Sequence, residues 1–107
     1  MKLIVAIISN EDGNQVTGAL TKAGYALTKL ATVGGILRAG NTTLLIGAED
    51  EKVDGILSII AEHSKTRQKL IPAAISAGME IFTSMPVEVT VGGATVFVLD
   101  VAQFVKL

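Results

Sequence analysis

The chain contains no cysteine and no tryptophan, only one histidine and two prolines, and aromatic residues make up 4% of it. The absence of cysteine excludes a disulfide framework, a thiolate nucleophile and a sulfur-ligated metal. His63 is the single imidazole, and metal sites of the zinc type are built from several histidine or cysteine ligands. We therefore expect no bound metal.

The acidic and basic residues are nearly balanced. Nine lysines and arginines and ten aspartates and glutamates leave a net charge of −1. Nucleic acids and anionic membranes are bound through an excess of positive charge, so neither is expected as a partner. No apolar run approaches the roughly 20 residues of a membrane helix, and the run 3–8 is shorter than the apolar region of a secretory signal. The sequence predicts a soluble, cytoplasmic protein.

Apolar residues are plentiful, and nearly all of them are aliphatic. Hydrophobic residues make up 50% of the chain, and the mean hydropathy is +0.56. A length of 107 residues is typical of one domain. Small and branched aliphatic side chains suit a closely packed core of helices against a sheet. We therefore predict a single domain, residues 1–107.

The first part of the chain shows a strand pattern, then a helix pattern, then a second strand pattern. Residues 2–9 form an apolar run rich in β-branched side chains, which is typical of a buried strand. Apolar residues recur at helical spacing after Asp12, and either Asp12 or Asn10 is expected to cap this helix. Gly24 stands where helices commonly end. Residues 25–32 alternate and predict the second strand.

The middle of the chain predicts a strand followed by a helix. Residues 42–49 are apolar and are expected to form the strand. Asp50 is expected to cap the second helix, because aspartate is a favoured residue at that position. The polar run 63–69 is expected to end the helix and begin a connection. The apolar stripe of this helix consists of Val53, Ile56, Leu57 and Ile60.

The last third combines one ambiguous segment with the clearest strand pattern. Residues 70–85 fit either two strands joined by a turn or a partly ordered loop. Residues 86–101 alternate, and Gly92 and Gly93 predict a turn or bulge before the last strand. The order is β-α-β-β-α-β with a hairpin-like last element. This order predicts an α+β, ferredoxin-like fold, an antiparallel sheet with two helices on one face.

Two helices leave the second face of such a sheet uncovered. Sheets with one face in water normally alternate apolar and polar residues, yet the runs 3–8, 44–46 and 96–99 are apolar on both faces. Monomers rarely expose an apolar surface of that size. We infer that self-association covers the second face. The alternative is that residues 70–85 fold back over it.

Side chains that perform catalysis are scarce. A nucleophile requires an adjacent base, and His63 lies at the polar end of the second helix, where a capping role suits it. Acidic residues gather at the helix starts, where the helix dipole accounts for them. The sequence has no Walker-type loop and no Gly-x-Gly-x-x-Gly motif. We predict a binding protein with no catalytic residue and no cofactor.

The segment 34–47, GGILRAGNTTLLIG, is the strongest candidate for a ligand site. Gly34 and Gly35 permit positive φ and a close approach of backbone to ligand. Successive backbone N–H groups in such a segment can bind an anion. Asn41 offers a donor and an acceptor that match an edge of adenine. The alternative is that the glycines only form a turn and that Asn41 only begins a strand.

Two long stretches resemble the PII-like cyclic-di-AMP receptor family of bacteria. They are LTKLATVGGILRAGNTTLLIG at 27–47 and MPVEVTVGGATVFVLDVAQF at 85–104, and the opening MKLIVAII also fits. The similarity runs over nearly the whole chain. It implies a non-enzymatic signalling protein: a ferredoxin-like homotrimer that binds cyclic-di-AMP in clefts between subunits and acts on a downstream protein.

The resemblance also implies which residues contact the ligand. Thr28 and Asn41 are implied to read adenine and phosphate, residues 35–37 to lie along the base and ribose, and Gly47 to allow close approach. Residues 92–93 are implied to line the cleft from the adjacent subunit. The complete set is Thr28, Gly35, Ile36, Leu37, Asn41, Gly47, Gly92, Gly93 and Gln103.

Three departures from the family pattern leave the ligand open. Ile36 stands where the family typically has a phenylalanine that stacks on adenine, and such stacking is worth on the order of 1–3 kcal/mol. Ala26 stands where an arginine is common, and residues 70–85 lack the family's proline- and glycine-rich loop. The alternatives are a sensor of another adenine nucleotide, such as ATP or ADP, and a trimeric protein-interaction module with a vestigial pocket.

Overall fold

The computed structural model describes residues 1–30, 40–72 and 86–107. In these ranges the chain forms strands, α-helices and one 3-10 turn, which we label in chain order. They are β1 (Lys2–Ser9), α1 (Asn10–Lys22), β2 (Thr28–Leu30), β3 (Asn41–Ala48), the 3-10 turn (Asp50–Lys52), α2 (Val53–His63), β4 (Arg67–Pro72), β5 (Pro86–Val91) and β6 (Ala94–Asp100).

An antiparallel sheet of four strands, in the order β2-β3-β1-β6, is the centre of the molecule. β1 pairs with β3 over its whole length, from Lys2 opposite Ala48 to Ser9 opposite Asn41. β6 pairs with the other edge of β1, and β2 pairs with the outer edge of β3. With α1 and α2 the sheet forms the predicted α+β, ferredoxin-like fold, and this prediction is confirmed.

β4 and β5 form a separate two-stranded antiparallel sheet, inserted between α2 and β6. The sequence pattern predicts a hairpin-like last element, and this is wrong, because β5 pairs with β4 whereas β6 joins the main sheet. Gly92 and Gly93 both have positive φ, +83° and +85°. Two successive residues in that region turn the chain out of one sheet and into the other, which a strand-forming pair could not do without strain.

The helices pack on one face of the main sheet, and this helix face holds the core. Side chains from β1 and β3 meet side chains from both helices and exclude water almost completely. Burial of each large aliphatic side chain stabilises the fold by about 1.5–3 kcal/mol relative to exposure. The core residues are Ile4, Ala6, Ile8, Val16, Leu20, Leu44, Ile46, Ala48, Ile56 and Ile60.

The end of α1 follows the predicted glycine pattern. Gly24 has a φ of +95°, and its N–H donates to the Thr21 carbonyl at 3.0 Å. The Tyr25 N–H donates to the Leu20 carbonyl, also at 3.0 Å. These two bonds form a Schellman motif, which satisfies carbonyls that the helix leaves without partners.

The start of α1 differs from the prediction. Ser9 occupies the N-cap position, and no side-chain capping bond is made there. Asn10 instead accepts a hydrogen bond from the Thr42 hydroxyl at 2.7 Å. Asp12 instead faces inward and pairs with Arg67. The sequence predicts one or the other of these residues as the cap, and this is wrong because both are engaged by partners distant in sequence.

Asp50 is also not the cap of the second helix. It begins the 3-10 turn that precedes α2, and no side-chain capping bond is present there either. Its carboxylate lies 3.0 Å from the N-terminal ammonium of Met1. That ammonium lowers the pKa of Asp50, by a hydrogen bond first and by charge attraction second. The partner of the Asp50 carboxylate is therefore the Met1 ammonium and not a backbone N–H of the helix.

The remaining elements shorten or extend the predicted ones. In the predicted strand 25–32, β2 begins only at Thr28, and residues 31–32 lie outside the described residues. α2 ends at His63 as predicted, but the polar run that follows enters β4 at Arg67. Of the ambiguous segment 70–85, the part up to Pro72 is strand, and residues 73–85 lie outside the described residues. No helix within 1–30, 40–72 or 86–107 is long and apolar enough to cross a membrane.

Candidate functional site

The face of the main sheet opposite the helices is apolar, and we call it the open face. Strand register places Val5 between Leu45 and Phe97, and it places Leu3 between Gly47 and Leu99. Phe97 is 53% exposed and Leu99 is 47% exposed. The described residues of this chain therefore leave large apolar side chains of the open face in contact with water.

Three of the predicted ligand residues lie on the open face. Residues directly opposite each other in an antiparallel pair point to the same face, and Thr28 lies opposite Leu45. Asn41 and Gly47 lie an even number of residues from Leu45 on β3, so the period of two places them on the same face. The sheet thus collects positions that are far apart in sequence.

Asn41 lies in a pocket at one end of the open face, which we call the Asn41 pocket. Its volume is about 320 Å³. Two of the predicted glycines, Gly92 and Gly93, line it together with Asn41. The resemblance assigns those glycines to an adjacent subunit, but the structure brings them to Asn41 within one chain. The remaining lining residues are Ile7, Ser9, Thr66, Ala94 and Thr95.

The wall formed by Gly92 and Gly93 has no room for a side chain. A Cβ on Gly92 would lie 2.5 Å from the Lys65 carbonyl oxygen and 2.6 Å from Arg67 Nη1. A Cβ on Gly93 would lie 2.7 Å from the Thr66 hydroxyl oxygen. Positive φ adds strain for any other residue. Glycine is therefore required here by the turn itself.

An ion pair between the buried Asp12 and the exposed Arg67 supports this wall from behind. The Asp12 side chain is 3% exposed, and Arg67 Nη2 lies 2.8 Å from its Oδ1. Arg67 Nη1 donates to Asp12 Oδ2 at 3.2 Å and to the Lys65 carbonyl at 3.1 Å. The Arg67 guanidinium lowers the pKa of Asp12 chiefly through these hydrogen bonds, against the opposing effect of burial. Asp12 is therefore ionised at neutral pH.

The start of β3 is held in place beside the Asn41 pocket. The Asn10 N–H donates to the Gly40 carbonyl at 2.8 Å, and Gly40 has a φ of +91°. The Thr42 hydroxyl donates to the Asn10 side chain at 2.7 Å. These bonds tie the residues on both sides of Asn41 to the beginning of α1. The backbone that carries Asn41 is therefore held by the first residue of α1.

Thr28 and Gly47 lie in a second pocket, which we call the Thr28 pocket, with a volume of about 270 Å³. Mostly apolar residues surround them: Met1, Ala26, Leu27, Leu45 and Phe104. Gly47 is six residues from Asn41 along β3, a distance of roughly 20 Å at about 3.3 Å per residue. In the part of the chain that the structure describes, Thr28 and Gly47 therefore lie at one end of the open face, and Asn41 lies with Gly92 and Gly93 at the other.

A third cavity, of about 380 Å³, lies beside the start of α1 and the end of α2, and its lining is mostly polar. His63 lines it as the last residue of α2. No group of three or more histidine, cysteine or acidic side chains in the described ranges is arranged to hold a metal ion. The other lining residues are Glu11, Asp12, Gln15, Glu62, Lys65 and Arg67.

One residue beside the candidate site was not predicted from the sequence, and three predicted residues lie outside the described residues. Gly35, Ile36 and Leu37 lie outside the described residues. Gln103 is exposed in the C-terminal segment that follows β6. Its neighbour Phe104 is 65% exposed and lines the Thr28 pocket. Aromatic residues are rare in this chain, so the presence of one near the C-terminus was the sequence signal that could have identified Phe104.

Comparison with known proteins gives a match over the whole chain. A family model described as cyclic-di-AMP receptor matches residues 1–107. A solved structure, described as a functionally unknown protein from Pediococcus pentosaceus ATCC 25745, is 39% identical in sequence with a TM-score of 0.77. The similarity covers 99% of this chain and 96% of that one.

Proposed function

The chain belongs to the cyclic-di-AMP receptor family, and from this premise we propose that it is a homotrimeric, non-enzymatic signalling protein that binds cyclic-di-AMP in clefts between its subunits. The match of the family model to all 107 residues carries the proposal. The proposal also includes a cytoplasmic location and a downstream protein partner, both predicted from the sequence.

The open face supports the proposed self-association. Its side chains include Val5, Leu45, Phe97 and Leu99. The last two, which belong to β6, are about half exposed. An apolar surface of this kind is typical of an interface between protein chains. A second and third copy of this chain would remove that surface from water.

The two pockets suit different parts of a dinucleotide. The Asn41 pocket offers an amide side chain, hydroxyl groups and two glycines, which suit phosphate oxygens and the polar edge of a base. The Thr28 pocket offers Phe104 and aliphatic side chains beside one hydroxyl, which suit the flat face of a base. We propose that both pockets take part, with Gly35, Ile36, Leu37 and Gln103 completing the contacts that the family resemblance implies.

Calorimetric titration with cyclic-di-AMP tests the proposal, with ATP and cyclic-di-GMP as competing ligands. Asn41→Ala is expected to weaken binding at least tenfold, since the loss of a paired donor and acceptor removes about 1.4 kcal/mol or more. The matched control is Asn14→Ala, because Asn14 is an exposed asparagine on α1. Equal affinity of both variants would exclude Asn41 from the site.

The nucleotide panel distinguishes the alternatives. Binding of ATP in preference to cyclic-di-AMP would indicate a sensor of another adenine nucleotide, and Ile36 in place of a stacking ring gives a reason to include that comparison. Binding of no nucleotide would indicate a protein-interaction module. Turnover of any nucleotide in the panel would contradict the non-enzymatic part of the proposal.

A further inference from the structure

The Asp12–Arg67 ion pair joins three parts of the fold that are distant in sequence. Asp12 lies in the first turn of α1, and Arg67 is the first residue of β4. The guanidinium donates to both carboxylate oxygens, at 2.8 Å and 3.2 Å, and also to the Lys65 carbonyl at 3.1 Å. Two parallel bonds from a planar guanidinium fix orientation as well as distance.

Gly92 is the third part, and it packs directly against this pair. A Cβ built on it would lie 2.6 Å from Arg67 Nη1 and 3.2 Å from Asp12 Oδ2. Gly92 also lines the Asn41 pocket. A single glycine therefore separates the guanidinium from the space where the ligand is proposed to lie.

The next residue fastens the same turn on its other side. The Gly93 N–H donates to the carbonyl of Ser64. Ser64 is 2% exposed, and its hydroxyl donates to the Ile60 carbonyl in α2. Two adjacent glycines are among the most flexible pairs that a chain can contain, so these contacts are what hold the turn in one conformation.

We propose that Asp12 and Arg67 are positioning residues of the ligand site, holding the Gly92–Gly93 turn in the conformation that binds nucleotide without touching the nucleotide themselves. This inference rests on the proposed function for its ligand. Neither residue is among the predicted contacts, and both nitrogen atoms of the fork are already engaged by Asp12.

The expected effect follows from population. When a site is in its binding conformation for only a fraction of the time, the apparent Kd rises by the inverse of that fraction. A turn that is correctly placed about one tenth of the time therefore binds about tenfold more weakly. Loss of the ion pair is expected to act on affinity in this way, while the core of α1 and the main sheet keeps its packing.

Three variants test the role of the pair: Asp12→Asn, Arg67→Gln and Arg67→Lys. Asp54→Asn and Lys22→Gln are matched controls, since they remove the same charges from exposed positions on α2 and α1. The Kd for cyclic-di-AMP is measured by calorimetry. The exchange rate of the Gly93 amide hydrogen is measured by NMR without ligand, with the Val16 and Leu20 amides reporting on the core.

The proposal predicts that Asp12→Asn and Arg67→Gln raise both the Kd and the exchange of the Gly93 amide about tenfold, with the core amides unchanged. Arg67→Lys, which keeps the charge but not the fork, is expected to restore part of the affinity. The double variant is expected to be no worse than either single one, because each breaks the same contact.

Unchanged Gly93 exchange, or unchanged Kd in folded variants, would overturn the proposal. If a variant accelerates the core amides as well, Arg67→Lys decides: a reduced affinity with a protected core supports positioning, and full affinity overturns the proposal. If the natural protein binds no cyclic-di-AMP, the proposed function fails, and the exchange data alone show whether the pair holds the turn.

Discussion

The two faces of the main sheet are made by the same strands, yet they end in opposite surroundings. On the helix face, Leu44 and Ile46 of β3 are fully buried beneath α1 and α2. On the open face, Leu45 between them is only partly buried, and Phe97 and Leu99 are about half exposed. An apolar residue of one strand is therefore buried by folding at one position and left partly in water at the next.

Adjacent leucines give the largest expected contrast between the faces. Leu44→Ala is expected to lower the free energy of unfolding by about 2–5 kcal/mol, because it leaves a cavity in the core. Leu45→Ala is expected to lower it by about half of that or less in a dissociated chain, since part of the Leu45 side chain is already in water. Urea denaturation of both variants measures the difference. Equal losses would contradict the assignment of the open face.

A charge on the open face is expected to break assembly rather than folding. Phe97→Glu places a carboxylate in the proposed interface, where an unpaired buried charge is strongly unfavourable. We expect the particle to change from three chains to one, measured by light scattering after size-exclusion chromatography, with a circular dichroism spectrum that is unchanged. Asn14→Glu on α1 is the control. A Phe97→Glu protein that remains trimeric would place the interface elsewhere.

Two glycines of α1 are expected to respond with opposite signs. A Cβ on Gly13 would lie 2.9 Å from the Thr42 hydroxyl oxygen, so Gly13→Ala is expected to destabilise by about 1–3 kcal/mol through overpacking against β3. No atom lies within 4 Å of a Cβ on Gly18. Gly18→Ala is therefore expected to stabilise by about 0.5–1 kcal/mol, since alanine favours the helix. Thermal unfolding of the two variants checks both signs.

Acid is expected to act through Asp12, a buried carboxylate of α1. The folded pKa of Asp12 is depressed, so its contribution is present above the ordinary aspartate value of about 3.9 and is lost as pH falls through the folded value. The free energy of unfolding, measured between pH 2 and pH 7, is expected to decrease as the pH falls below about 4. Asp12→Asn is expected to weaken this dependence on pH. An unaltered dependence would assign it to other carboxylates such as Asp50.

The sequence predicts local features of the fold well. β1, the glycine end of α1 and the strand before Gly92 all depend on neighbours within a few residues, and each was predicted from such neighbours. The ferredoxin-like order followed from these elements. Its confirmation shows that the strand and helix patterns of the sequence correspond to the elements of the fold.

Features that depend on distant partners were not predictable in the same way. Asp12 carries the signature of a capping residue, but its partner Arg67 is 55 positions away. Asp50 likewise pairs with the chain's own N-terminal ammonium. Similarly, nothing in the alternation of residues 86–101 shows that β5 and β6 belong to different sheets. A polar side chain near a helix start has several uses, and only the fold selects one.

The candidate site shows the same division. Thr28, Asn41 and Gly47 were identified from the sequence motifs and the family they resemble, whereas their common face follows only from strand register. The Asp12–Arg67 pair comes from tertiary structure alone, and the tertiary structure places Phe104 beside Thr28. The roles of all the predicted ligand residues stay predictions until the nucleotide titrations are made.

The hydrogen bond between the Gly93 N–H and the Ser64 carbonyl joins the residue after α2 to the turn before β6. The start of β4 and the end of β5 therefore lie close together. Closing a flexible loop becomes less favourable by only about 0.6 kcal/mol for each doubling of its length. β4 and β5 are therefore attached to the rest of the fold at one place, so a change in the number of residues between them is expected to cost little and to leave the strand order of the main sheet unchanged.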